Sequence, residues 1–267
     1  MNTELCNELA QMVDTAAYQR QPIQQLSKQG FKLTLAEAYQ VQAASVAMRL
    51  ERGEQVIGIK MGFTSRAKML QMGVDDLIWG PLTDAMMIPE GGEIDLSRFI
   101  HPRIEPEIAF RLKKSISGQI SLLEAQAAVD AVAPALEIID SRYCDFSFSL
   151  EDVVADNCSS SGVILGSWHS NERSLSNIGM VMEIDGKAVQ IGSSAAILGN
   201  PWRSLVAAAR LAGESGQTLA AGSIVLAGAA TAAEPLHPGQ YIHLITESLG
   251  SVSLTTSASE MGGDDEK

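Results

Sequence analysis

Three glutamates and one lysine lie in contexts where a charge needs a partner. In Ile104–Glu105–Pro106–Glu107–Ile108–Ala109–Phe110, the two acids are two residues apart. In a strand they project from one face, with Ile104, Pro106, Ile108 and Phe110 on the other. Carboxylates about 7 Å apart along a strand repel one another unless water or a cation intervenes. A solvated outer face is the plain alternative, and Pro106 predicts an edge strand or a bulge. Glu137, within Val132–Asp140 (VAPALEIID), has apolar neighbours on both sides. An unpaired carboxylate is costly there, which calls for a nearby Arg or Lys (Arg142 is close in sequence) or a metal. Three glutamates without His or Cys suit a hard divalent ion, Mg²⁺ or Mn²⁺, rather than zinc, and leave about three octahedral positions open.

Lys60 is embedded in Gly58–Ser65 (GIKMGFTS), with Ile59 and Met61 turned the other way. It either snorkels or presents a cation to an anionic substrate or enolate, and the flanking glycines admit close backbone. In Val153–Gly162 (VVADNCSSSG) an apolar run opens into polar residues, as a loop of Asx and Ser turns or as the polar wall of a pocket. His101, His169, His237 and His243 are scattered, and no nucleophile elbow or nucleotide-binding glycine motif is present.

The elements that must position these residues are mixed. Helices are expected over 3–16 and 35–52, the second opened by Thr34 and Glu37 as a capping box and closed by Gly53. From Val56 on, short apolar runs alternate with turns, interrupted by helices at Ser121–Ala131 and Pro201–Glu214. Asp185–Gly186 is a hairpin signal. The class is α+β, mostly β: a helical N-terminal region (1–52), a strand-rich core (53–256) and a flexible acidic tail (257–267).

Composition narrows the function. The 267 residues carry 32 acids against 19 bases, a formal net charge of −13. That balance argues against nucleic acid and against an anionic membrane surface. No run reaches the roughly 18–20 apolar residues of a membrane span, and the N-terminus does not read as a signal peptide. Three widely spaced cysteines predict neither disulfides nor a zinc ribbon, and point to the cytoplasm.

The stretches GIKMGFTSRAKMLQMGV, HPRIEPEIAF, PALEIIDSRYCDFSF, VVADNCSSS, AILGNPWRSL and GSVSL resemble the hydratase/decarboxylase branch of the fumarylacetoacetate-hydrolase-like superfamily. The resemblance implies a mixed β core and metal-dependent decarboxylation of 2-oxo-3-hexenedioate to 2-hydroxypenta-2,4-dienoate in meta-cleavage catabolism of aromatic compounds. Hydration of that dienoate, or a non-catalytic role beside a sister enzyme, are the alternatives. It implies Mg²⁺ or Mn²⁺ on Glu105, Glu107 and Glu137, with Lys60 at the developing enolate and Asp156 and Ser161 orienting the substrate. It also implies an oligomer and a complex with the sister hydratase. Two departures stand out: Gly162 replaces an expected Arg, and residues 227–235 (AGAATAAEP) are less glycine-rich. The first would pass the distal-carboxylate charge to Arg66, Lys68 or Arg142.

Overall fold

The structure is a computed structural model and describes residues 1–65, 69–70 and 76–257. Arg66, Lys68 and the tail from residue 258 on therefore lie outside the described residues. Five helices are used below: α1 (Thr3–Gln19), α2 (Leu35–Glu51), α3 (Leu122–Ala128), α4 (Leu150–Ala155) and α5 (Pro201–Glu214). The strands are β1 (Val56–Gly62), β2 (Ile78–Thr83), β3 (Met87–Ile88), β4 (Glu93–Ile94), β5 (Arg103–Leu112), β6 (Val129–Ile139) and β7 (Ser160–Leu165). They continue with β8 (His169–Ser170), β9 (Gly179–Ile184), β10 (Lys187–Ser193), β11 (Ile224–Leu226), β12 (Glu234–Pro235), β13 (Tyr241–Thr246) and β14 (Gly250–Thr256).

Among the described residues the strands form two sheets. The larger runs β2-β1-β11-β5-β6-β7-β3, with β12 on β5 and β8 on β6; the smaller runs β10-β9-β13-β14-β4. Strand alternation sorts the larger sheet into two faces. Ile104, Ile108 and Phe110 of β5 and Val132, Leu136 and Ile138 of β6 face the main core, against Trp202 and Leu205 of α5 and Met182 and Leu244 of the smaller sheet. On the other face, Leu82, Ala109, Ala133, Ala135, Val163 and Leu226 form one buried cluster. Leu82 and Val163 belong to β2 and β7, five strands apart in the order, so the sheet curls around this inner face. Alanine at 109, 133 and 135 keeps that interior narrow.

The local signals behave as their chemistry dictates. Thr34 and Glu37 form a complete capping box on α2. Asp185 and Gly186 both take positive φ (52° and 73°), the backbone of a two-residue hairpin turn, and join β9 to β10 in register. α1 and α2 pack with α4, Ile78 and Tyr143 in a second buried cluster.

Three expectations need correction. The helix at Ser121 ends at Ala128, and Val129 already begins β6. Its neighbours on β5 bury Val129 and Val132, so β-branched packing overrides the alanine-rich pattern. The stretch from Val153, expected to open into a loop or pocket wall, begins inside a helix, Leu150–Ala155, capped by Ser149 and Asp152. Pro106 lies in an inner strand, yet its carbonyl accepts from Ala230 N–H. Its nitrogen therefore faces the 227–233 loop, in the gap between β11 and β12, where no strand needs a donor.

Close backbone approach explains Gly58. A Cβ there would lie 1.8 Å from the Ile224 carbonyl oxygen on β11. Gly58→Ala should lower the urea midpoint without changing the slope, a loss of about 3 kcal/mol as for severe overpacking. A midpoint unchanged from wild type would contradict the β1–β11 register.

Candidate metal centre

The curled inner face brings the acids together. β5 and β6 pair antiparallel with Glu105 directly opposite Glu137 and Glu107 opposite Ala135. Like charges facing each other across a ladder are destabilising. Here ligand oxygens of Glu105, Glu107 and Glu137 lie within 4.8 Å of one another, and Glu107 and Glu137 are fully buried. Ala109, Ala133 and Leu226 lie beneath them on the same inner face.

Lys60 reaches this cluster from β1. Its Nζ lies 2.8 Å from Glu137 Oε1 as an ion pair and donates to the Cys158 carbonyl at 3.3 Å. Burial acts to lower the Lys60 pKa, but Glu137, Glu105 and Glu107 outweigh it and hold the ammonium above its ordinary value. Glu107 responds in the same field: burial first, then the Glu137 and Glu105 carboxylates, raise it well above the carboxylate range.

Hydrogen bonding leaves the two buried acids, Glu107 and Glu137, short of donors. Gly228 N–H donates to Glu107 Oε2 at 2.7 Å. Lys60 Nζ meets Glu137 Oε1 as an ion pair, while Glu137 Oε2 and Glu107 Oε1 are buried with no hydrogen-bond donor. Among the described residues Lys60 is the ammonium that faces the cluster, and the buried oxygens of Glu107 and Glu137 left over make the environment that a hard divalent cation completes. All the candidate ligands are oxygen, and among the described residues no His or Cys joins the group.

Two backbone features frame the cluster. Asn157, Cys158 and Ser159 all take positive φ (48°, 52° and 58°), a left-handed turn that is strained for non-glycine residues. It aims the Cys158 carbonyl at Lys60. β2 braces the turn: Asn157 Nδ2 donates to the Pro81 carbonyl at 3.0 Å and Cys158 Sγ to the Trp79 carbonyl at 3.1 Å. Burial pushes the Cys158 thiol up to about 12, so it is unreactive. Gly228, at φ 102°, would set a Cβ 2.1 Å from Thr64 Oγ1; only glycine delivers that N–H to Glu107.

The remaining expected site residues lie elsewhere. Arg142 is buried and pairs with Asp156 through Nε to Oδ1 at 2.7 Å. It also donates to Ser161 Oγ at 2.9 Å, the Ser160 carbonyl at 3.2 Å and the Asp140 carbonyl. Burial pushes Asp156 up to about 7, with Arg142 pulling the other way. The cavity above the glutamates, about 690 Å³, is lined by Lys60, Glu105, Ser159, Phe146 and Arg103, but by none of Arg142, Asp156 and Ser161. Those three knit the wall behind it. Arg142 is thus committed to Asp156 and not available to a distal carboxylate. Nor does Gly162 remove a cavity contact: a Cβ there would meet Ile88 and Ile138, on the main-core side of the sheet.

Comparison with known proteins gives the family. The family model for the fumarylacetoacetate (FAA) hydrolase C-terminal region matches residues 55–256. The chain belongs to the fumarylacetoacetate hydrolase family. Among members of that family, it is 56% identical to a 4-oxalocrotonate decarboxylase of Pseudomonas sp over 250 residues, 94% of this chain and 97% of the relative. It is 34% identical to a 2-keto-4-pentenoate hydratase of Paraburkholderia xenovorans (strain LB400), over 98% of this chain and 99% of the relative. The solved structure of 4-oxalocrotonate decarboxylase from Pseudomonas putida G7, complexed with magnesium and adipate, superposes with a TM-score of 0.93. It is 39% identical and covers 96% of this chain and 98% of that one.

In this fumarylacetoacetate hydrolase family member, sequence reasoning missed the Cys158 carbonyl, the Gly228 N–H and Arg103. The first two are backbone groups with no side-chain signal. Arg103 carried one: it shares the period-two face of Glu105 and Glu107.

The raised carboxyls set a pH dependence. Between the ordinary carboxylate range and the raised Glu107 value, the folded protein binds more protons than the unfolded chain, so stability falls as pH rises. Asp156 has the same sign up to about 7. The Tm of metal-free protein should fall as pH rises above about 5. Glu107→Gln should flatten the fall, and millimolar Mg²⁺ should oppose it. A metal-free Tm that rises across that window would contradict the assignment.

Proposed function

We propose that the chain is a metal-dependent decarboxylase that converts 2-oxo-3-hexenedioate to 2-hydroxypenta-2,4-dienoate in meta-cleavage catabolism of aromatic compounds. The observation that carries this is the cluster of Glu105, Glu107 and Glu137, with buried oxygens lacking donors, beside a cavity that Glu105 and Lys60 line. The similarity to 4-oxalocrotonate decarboxylases, one of them complexed with magnesium and adipate, supplies the substrate class.

Mg²⁺ held by the three glutamates, with Mn²⁺ as a substitute, would supply Lewis-acid polarisation of a 2-oxo acid. The chain's own residues do the rest. In the reaction the C5–C6 bond breaks and CO₂ leaves. The bonding pair moves through C4 and C3 to the 2-keto oxygen, which takes a proton to give the dienol. Decarboxylation needs this electron sink more than a general base, consistent with a cavity that no histidine lines among the described residues. Lys60, kept charged by its carboxylate neighbours, offers N–H to the oxygen on which charge develops and can pass it a proton. Ile139, Phe146, Phe148 and the alanines at 229, 230, 232 and 233 give the cavity an apolar side. They keep water from the departing carboxylate. Asp156, Arg142 and Ser161 act as positioning residues, holding the 157–159 turn and so the Cys158 carbonyl that fixes Lys60.

Hydration of 2-hydroxypenta-2,4-dienoate on the same metal and Lys60 is the second reading, favoured by the full-length similarity to a hydratase. We place the enzyme in the cytoplasm, where its free cysteines are at home; no helix among the described residues is long and apolar enough to cross a membrane. An oligomer, including a complex with the sister hydratase, is supported by an apolar row on the open face of the smaller sheet. Ile191, Val181 and Ile245 lie in register across β10, β9 and β13, with Ile191 76% and Ile245 40% exposed.

Purified protein with Mg²⁺ should release CO₂ from 2-oxo-3-hexenedioate. Glu105→Gln, Glu137→Gln and Lys60→Met should each lower kcat by about 10²–10³-fold. Turnover of the dienoate with water and no CO₂ from the diacid would replace this reading with the hydratase. No turnover of either substrate would favour a non-catalytic subunit.

A further inference from the structure

The inner face of β5 carries Arg103, Glu105, Glu107 and Ala109 in succession, each two residues from the next. Against it β6 sets Ile139, Glu137, Ala135 and Ala133. Along this double row the surface changes from apolar at Ala109 and Ala133, to acidic at the glutamates, to basic at the mouth. Arg103 is exposed and lines the same cavity as Lys60 and Glu105. Lys60 is engaged by Glu137 and the Cys158 carbonyl. Arg103 has no carboxylate at ion-pair distance among the described residues.

Its head group is nonetheless held in place. Asp145 and Phe146 both take positive φ (60° and 53°), and this turn sets the Phe146 ring under the guanidinium, 4.5 Å from Cζ to the ring centroid. His101 packs against the same ring at 5.2 Å. A guanidinium lying on an aromatic ring keeps its edge N–H groups free for a planar anion. Two residues along a strand span about 7 Å, close to the separation of the two carboxylates in an extended six-carbon diacid.

We propose that Arg103 is the specificity-determining residue for the second carboxylate of the substrate, with Phe146 as its platform. The assignment rests on the reading above, in which a 2-oxo acid occupies the three-glutamate site. It commits the site to 2-oxo dicarboxylates over 2-oxo monocarboxylates. A contact to a carboxylate that later leaves as neutral CO₂ is strongest in the ground state. Arg103 therefore contributes to binding, and its loss shows in KM more than in kcat.

Calorimetry with Mg²⁺ present tests this with two probes, 2-oxoadipate and 2-oxohexanoate, which differ by one carboxylate. Wild type should prefer the diacid by about 10–100-fold, the range for one charge-assisted pair. Arg103→Gln should reduce that ratio to within about twofold, and Arg103→Lys, which keeps charge but loses the planar fork, should retain part of it. A structural role alone would not track the charge of the ligand. An undiminished ratio in Arg103→Gln, or no preference in wild type, overturns the assignment of Arg103 and leaves the metal-site reading standing. Binding of neither acid by wild type overturns both.

Discussion

The opposition of Glu105 and Glu137 across the β5–β6 ladder is the constraint around which the site is built. Two carboxylates set face to face, with Glu107 two residues along and both Glu107 and Glu137 buried, cannot all be ionised without added positive charge. Lys60 supplies one charge. For the buried pair Glu107 and Glu137, a proton on Glu107 or a divalent cation answers the remaining charge. A fold selected for stability alone would have no use for this arrangement, since apolar residues on that face would extend the buried cluster of Ala109, Ala133 and Leu226 beneath it.

Much of the surrounding backbone answers the same demand. The left-handed turn at 157–159 gives up backbone comfort to aim a carbonyl at Lys60, and β2 holds it there through Trp79 and Pro81. Gly228 adopts a conformation few other residues reach, which directs its N–H at Glu107. Arg142 and Asp156 close a buried ion pair in the wall behind the cavity and tether Ser160 and Ser161 of β7. Each contact fixes a charged atom of the cluster or the chain segment that carries one. Preorganisation of this kind lets electrostatics act without reorganisation at the moment of reaction.

How far the sequence could be read depended on which groups act through side chains. The period of two exposes Glu105 and Glu107 as neighbours on a face, and the apolar setting of Glu137 marks it as needing a cation; both readings match the placement found. The capping box at Thr34 and the Asp185–Gly186 turn were equally legible, because their chemistry is local. The helix at 150–155 was not, since the polar run after Val153–Val154 reads as a loop and only the Ser149–Asp152 cap argues for a helix. Arg142 misled for a different reason. Its nearness to Glu137 in sequence suggested a site cation, whereas the chain folds Asp156 onto it from fourteen residues away. Backbone donors and acceptors such as Gly228 and Cys158 leave no trace in residue type at all.

The central claim is that the three glutamates hold one divalent cation at the cavity floor, and anomalous diffraction from crystals soaked in Mn²⁺ tests it most directly. The account predicts a single strong peak within about 2.0–2.6 Å, the range for hard cations on oxygen, of an oxygen from each of Glu105, Glu107 and Glu137. A cavity floor without a peak, or a peak bound by other residues while Glu137 keeps Lys60 alone, would contradict it.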